Sequence, residues 1–178
     1  MGLCDIHVIK EVLSRHGFHF SKSLGQNFLT AQGVPERIAA ECGVDKNSCA
    51  LEVGPGMGCL TNELSKQAEK VVAIELDRAL FPVLEETLAD CSNVEVVHGD
   101  VLKTDLSAIC KEKFGDKKVY ACANLPYYIT SPVIMRLLEE RLPVEAITVM
   151  VQKEAGDRLT APVPSRECGA GTAGGRQP

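Results

Sequence analysis

Three glycines at alternate positions, Gly54, Gly56 and Gly58, punctuate the stretch Leu51-Glu52-Val53-Gly54-Pro55-Gly56-Met57-Gly58-Cys59-Leu60-Thr61. Glycine reaches φ > 0 and lets a ligand approach the backbone closely. An apolar run precedes the loop and a helix-like segment follows, so it reads as a strand-to-helix turn whose amides face a cofactor. Glu52 enters from the first strand, and Glu75 closes the next apolar run, Val71-Val72-Ala73-Ile74. A carboxylate at the end of a second strand can accept both hydroxyls of a ribose. Asp100, after His98-Gly99, can accept a hydrogen bond from the exocyclic amine of an adenine.

Asn124-Leu125-Pro126-Tyr127 suits a different task, the activation of an amine. An adenine N6 amine is a poor nucleophile because its lone pair is delocalised into the ring. The Asn124 side-chain oxygen and the Leu125 carbonyl can each accept one N6 hydrogen, which favours a pyramidal nitrogen. Tyr127 offers a face for stacking the base, worth roughly 1–3 kcal/mol. Pro126 stiffens the loop and keeps Leu125 extended. No strong general base is required, because the amine proton can leave after alkylation. Orientation and electrostatics then carry the catalysis.

Two nucleoside cofactors fit the glycine loop. The dinucleotide fingerprint G-x-G-x-x-G seats a pyrophosphate on a helix N-terminus. Its third glycine would fall where Cys59 stands. The E-x-G-x-G-x-G spacing instead resembles that of S-adenosylmethionine (SAM) methyltransferases.

Alternating elements must position these residues. Apolar spacing predicts a helix near Asp5 to Arg15, closed by Gly17, and a second from about Gly33 to Cys42. Strands are expected at Cys49 to Val53, Val71 to Ile74, Val94 to Val97, Lys118 to Ala123 and Ala146 to Val151. Helices are expected at Thr61 to Glu69, from Asp77 to about Ala89, and from about Pro132 to Glu140. Pro82 should kink the second of these or delay its start. Leu106 to Phe114 reads as a short helix or a loop. Strands alternating with helices imply an α/β fold, a Rossmann-like domain with a mostly parallel sheet. In such sheets ligands bind beyond the C-terminal strand ends, where Gly54, Glu75, Asp100 and Asn124 all fall. The expected organisation is an N-terminal helical segment at 1–45, a cofactor-binding core at 46–160 and an irregular tail at 161–178.

The 178 residues are 45% hydrophobic and 24% charged, an ordinary balance for one domain with a real core. No apolar run approaches a membrane span, and the first ten residues do not resemble a signal peptide. Eight cysteines are scattered without a C-x-x-C pair, so neither a structural zinc nor a redox motif is expected. Reduced thiols, a cytoplasmic location and no metal are the expectation. A net charge of −5 argues against a generally basic nucleic-acid binder. Lys10, Arg15, His16, His19 and Lys22 form a mildly basic cluster, expected as a solvated surface.

Six stretches together resemble the small-subunit ribosomal RNA adenine dimethyltransferases, the KsgA family. They are Lys22-Ser23-Leu24-Gly25-Gln26-Asn27-Phe28-Leu29, Leu51 to Thr61, Val72 to Asp77, His98-Gly99-Asp100, Asn124 to Tyr128 and Gln152-Lys153-Glu154. The first is the most diagnostic. The resemblance implies transfer of four methyls from SAM to the N6 atoms of two adjacent adenosines near the 3′ end of the small-subunit RNA, releasing S-adenosylhomocysteine. It implies SAM contacts at Asn27, Leu29, Glu52, Gly54, Gly56, Gly58, Glu75, Asp100, Val101 and Asn124. Catalysis falls to Asn124, Leu125, Pro126 and Tyr127, and substrate contacts to Lys22, Phe28, Tyr127 and Tyr128. The implied partner is small-subunit ribosomal RNA in a pre-30S particle, engaged by a monomer without membrane or metal.

The resemblance fades after about Gly171, where the family continues with further strands and a small helical domain that grips RNA. Those parts are expected to be missing. Two rival readings remain at this point: a large-subunit adenine N6-methylase of the macrolide-resistance type, and a non-catalytic SAM- or ribosome-binding fragment. The Lys22 to Leu29 stretch favours the small-subunit family over the first.

Overall fold

The structure is a computed structural model and describes residues 2–18, 29, 31, 33–126, 128–140 and 142–162. Five strands form one sheet: β1 (Ser48–Val53), β2 (Lys70–Glu75), β3 (Val94–His98), β4 (Lys118–Asn124) and β5 (Val144–Met150), in the order β3-β2-β1-β4-β5. All four pairings are parallel. The order reverses at β1, which lies between β2 and β4. That switch point opens a crevice at the strand ends.

Helices cover both faces, and the strands alternate between them. Ala50 and Val71 pack into one hydrophobic cluster, while Cys49, Leu51, Val53, Val72 and Ile74 pack into the other. The first cluster takes α1 (Ile6–Arg15), α2 (Val34–Glu41), α3 (Cys59–Gln67) and α4 (Phe81–Thr87). The second takes α5 (Leu106–Phe114) and α6 (Thr130–Glu139). The central strands are apolar because both their faces are covered. The described part of 1–45 therefore shares its core with α3 and α4.

Local sequence explains the element ends. Asp5 accepts from the His7 N–H and caps α1, and Asp105 accepts from the Ala108 N–H and caps α5. Asp77 caps only a 3₁₀ turn, Arg78–Leu80, and α4 begins behind it with Pro82 in its first turn. The delayed start anticipated from Pro82 is thus present. Leu106–Phe114 resolves as helix. Helix α6 begins two residues earlier than its spacing suggested, at Thr130, whose hydroxyl donates to the Pro126 carbonyl at 3.1 Å. Not expected from the sequence is α7 (Lys153–Thr160), a helix of 8 residues with none buried. Lacking an apolar stripe, it left no periodic signal in the sequence.

Two of the N-terminal basic residues are not simply solvated. Arg15 Nη1 and His16 Nε2 both reach Glu86 at 2.5 Å, tying the end of α1 to α4. His19 and Lys22 lie outside the described residues, as does the tail from 163 onwards. The seven described cysteines are all free thiols.

Candidate active site

Each strand end around the crevice delivers one polar or glycine feature. Behind β1 the chain turns through Gly54 at φ 71° and Gly56 at φ 58°, conformations that cost an L side chain strain. A Cβ on Gly54 would meet no protein atom within 4 Å, so the space beside it is open to a ligand. Gly58 has a different reason for being glycine. It caps α3 at φ 82°, and a Cβ there would lie 2.9 Å from Leu88 Cδ2. Gly58 does not line the cleft; it lets α3 pack against the end of α4.

The cleft itself has a volume of about 750 Å³ including its open mouth, and its lining includes Gly54, Gly56, Glu75, Asp100, Val101 and Asn124. Leu125, Pro126 and Tyr128 complete the opposite wall. Residues from four separated stretches of sequence are thus assembled around one space, beyond the C-terminal ends of β1, β2, β3 and β4.

Glu75 is 6% exposed, and its Oε1 accepts the Asp77 N–H at 2.8 Å. Burial raises its pKa above the usual carboxylate range, while the N–H groups of Asp77, Gly56 and Leu76 oppose the rise. Asp100 is half-buried. Its Oδ1 accepts the Leu102 N–H at 3.0 Å, an Asx turn that fixes the carboxyl at the cleft wall, and Lys103 Nζ stands 3.4 Å from Oδ2. The Thr104 N–H and hydroxyl both donate to the Asp100 carbonyl at 2.8 Å. Arg136 of α6 donates to the Thr104 carbonyl at 3.1 Å, bracing this turn from the other side of the cleft.

Asn124 ends β4, paired in register with Met150 of β5, and the Leu125 N–H continues the ladder to the Met150 carbonyl at 3.4 Å. The loop is held at its far end by the Ile129 N–H and the Thr130 hydroxyl, both donating to the Pro126 carbonyl. Tyr128 is 47% exposed at the mouth.

Glu52 and Leu29 lie apart from the main cleft. Both line a smaller cavity beneath the glycine loop, which shares Gly54, Gly56 and Asn124 with the cleft. Glu52 is 1% exposed, and burial pushes its carboxyl up to about 8; the neighbouring Thr61 hydroxyl opposes that rise without completing a hydrogen bond of good geometry. Lys22, Asn27, Phe28 and Tyr127, also singled out from the sequence, lie outside the described residues.

Leu76, Leu80 and Ile129 line the cleft without having been anticipated. Leu76 is 44% exposed, unusual for a leucine beside a buried acid. An apolar residue directly after a strand-end carboxylate was the available signal: it offers a flat contact for whatever the carboxylate holds. Among the described residues no group of three or more His, Cys, Asp or Glu could hold a metal ion, and no helix is long and apolar enough to cross a membrane.

A glycine turn with open space beside it, a ribose-height acid and a second acid at an apolar wall fit an adenosine-bearing cofactor. The similarity to known proteins agrees with that fit. The model of the ribosomal RNA adenine dimethylase family matches residues 17–173. The chain is 50% identical over 162 residues to ribosomal RNA small subunit methyltransferase A of Bacillus licheniformis, covering 90% of this chain and 56% of that protein. It is 49% identical over 168 residues to the Clostridioides difficile protein of the same name, covering 94% and 58%. The chain thus spans a little over half the length of these relatives. Among solved structures it resembles the 23S rRNA methyltransferase ErmE, with a TM-score of 0.65 and 31% identity over 74% of this chain and 50% of that one. It also resembles a dimethyladenosine transferase from Plasmodium falciparum, with a TM-score of 0.63 and 32% identity over 77% and 47%. The chain belongs to the ribosomal RNA adenine dimethylase family.

Proposed function

We propose that this chain carries the SAM-binding and methyl-transfer site of an enzyme that dimethylates the N6 amines of two adjacent adenosines near the 3′ end of small-subunit ribosomal RNA. The observation that carries the reading is the convergence of the glycine turn, two acids and the Asn124-Leu125-Pro126 loop on one cleft, in a chain of this family. The bound cofactor would supply an electrophilic methyl group on a sulfonium. Gly54 and Gly56 leave room for its backbone contacts, Glu75 accepts the ribose hydroxyls and Asp100 accepts the adenine amine, with Val101 against the ring.

On the substrate side, the Asn124 side-chain oxygen and the Leu125 carbonyl accept the two hydrogens of the target amine. This holds the nitrogen lone pair toward the cofactor side of the cleft. The mouth residue Tyr128, with Tyr127, Lys22 and Phe28, receives the flipped base. The amine loses its proton after transfer, so no side chain with a tuned basic pKa is needed at this wall.

A small-subunit target is favoured over a large-subunit one by identity: about half of the aligned residues match the small-subunit relatives, against 31% for ErmE. The test is single-turnover transfer from tritiated SAM to unmodified small subunits, with large-subunit RNA alongside. Label confined to two adjacent adenosines near the small-subunit 3′ end is the expected result. Label on the large-subunit RNA would replace the target. SAM binding without transfer to either would make this chain a cofactor-binding fragment.

A further inference from the structure

Glu52, the penultimate residue of β1, lies beneath the glycine turn with 1% of its surface exposed. Among the described residues, its Oε2 is buried without a hydrogen-bond partner. The small cavity it lines is separated from the cleft only by shared residues, Gly54, Gly56 and Asn124. The titratable groups that act on it or feel it are Glu75 on β2, Cys59 on α3 and Cys122 on β4, and none is a cation. Among the described residues, the Thr61 hydroxyl on α3 is the one polar neighbour that favours its ionised form. A carboxylate so placed is costly unless a positive charge arrives to balance it.

We propose that Glu52 is a charge-balancing acid for a sulfonium cofactor: it holds its proton without ligand and releases it to solvent when the neighbouring cleft is filled by the cation. This rests on the SAM reading of the cleft. SAM carries one more positive charge than S-adenosylhomocysteine, so the linkage favours the methyl donor over its product. The balance is simple: the Glu52 carboxylic acid becomes a carboxylate, and one proton passes to the buffer.

The direction of the pH dependence follows from linkage. Without ligand the carboxyl titrates at about 8, and a nearby cation lowers that value. Between the two values SAM affinity climbs by up to about tenfold per pH unit, and it levels off above the upper one. The Glu75 carboxyl meets the same ribose in both ligands, so its contribution is common to both and cancels in the comparison.

The experiment is isothermal titration of the chain with SAM and with S-adenosylhomocysteine at pH 7, in buffers of differing ionisation enthalpy. SAM should release about half a proton or more in excess of the product. Glu52→Gln, which preserves the shape of the protonated acid, should abolish that excess and flatten the pH dependence of SAM affinity. Equal release by the two ligands, or an undiminished excess in Glu52→Gln, overturns this inference while leaving the cofactor assignment standing. Failure of both ligands to bind overturns the cofactor assignment and this inference with it.

Discussion

The two walls of the cleft are built to different standards. On the cofactor side, Gly54 follows β1 and Glu75 ends β2, both packed inside the sheet, and Asp100, beyond the edge strand β3, is braced by the Leu102 and Thr104 N–H groups. On the amine side, Asn124 ends β4, an interior strand whose outer neighbour is the edge strand β5. Every β1 residue is buried, whereas the edge strands β3 and β5 have none. The aromatic at the amine-side mouth, Tyr128, is nearly half-exposed. A small invariant ligand rewards a rigid, pre-formed wall, whereas a nucleotide delivered on a large RNA needs an accessible one.

Substitutions on the two walls should therefore separate binding from transfer. The largest effect is expected at Asn124→Ala. Losing one preorganised group of this kind costs roughly a hundred- to thousandfold in rate, with SAM affinity changed only a few-fold. Single-turnover rates at saturating SAM check this, and a rate near wild type would remove Asn124 from the orienting role.

Glu75→Ala should do the reverse. Charge-assisted hydrogen bonds are worth about 1.5–3 kcal/mol, so the SAM dissociation constant should rise roughly ten- to a hundredfold. The rate at saturating cofactor should change little. Calorimetric titration reads the first quantity, and unchanged affinity would dissolve the contrast between the walls.

The glycine pair gives a smaller, sharper comparison. Both Gly54→Ala and Gly58→Ala impose strain of about 1–3 kcal/mol at positive φ. At Gly58 the new methyl also presses Leu88 at 2.9 Å. Gly58→Ala should therefore lower Tm more and cofactor affinity less, and Gly54→Ala the converse. Melting curves with and without S-adenosylhomocysteine distinguish them.

The last effect concerns stability alone. Glu52 binds its proton more tightly folded than unfolded, with a folded value of about 8. Its contribution is fully present below the unfolded value near 4.5 and is lost as pH rises through about 8. Glu52→Gln should therefore gain on wild type in Tm as pH is raised from 6 to 8, and parallel curves would show that Glu52 is not held neutral.

Much of this was legible in the sequence because the relevant signals are local. Continuous apolar runs bounded by Gly54, Glu75, Asp100 and Asn124 mark buried parallel strands, and strand ends are where such sheets bind ligands. The glycine spacing selects the turn, since glycine adopts the φ of 71° and 58° found at Gly54 and Gly56 without the strain an L side chain would carry. Asn124-Leu125-Pro126 suggests the proposed amine chemistry through residue type alone.

Other features depend on what the chain meets in space. The sequence treats Gly54 and Gly58 alike, yet one faces an open cleft and the other Leu88, a residue thirty positions away just beyond the end of α4. Glu52 reads as one more cofactor-facing acid, but β2, α3 and β4 close around it and decide that it lies beneath the loop with a raised pKa. Arg15 and His16 look like solvated cations until Glu86 of α4 is brought beside them. Residue types and spacing determine which turns and strands form, because backbone conformation and apolar periodicity are short-range. Burial, dielectric and partnership are long-range quantities, and only the packed sheet and its helices assign them.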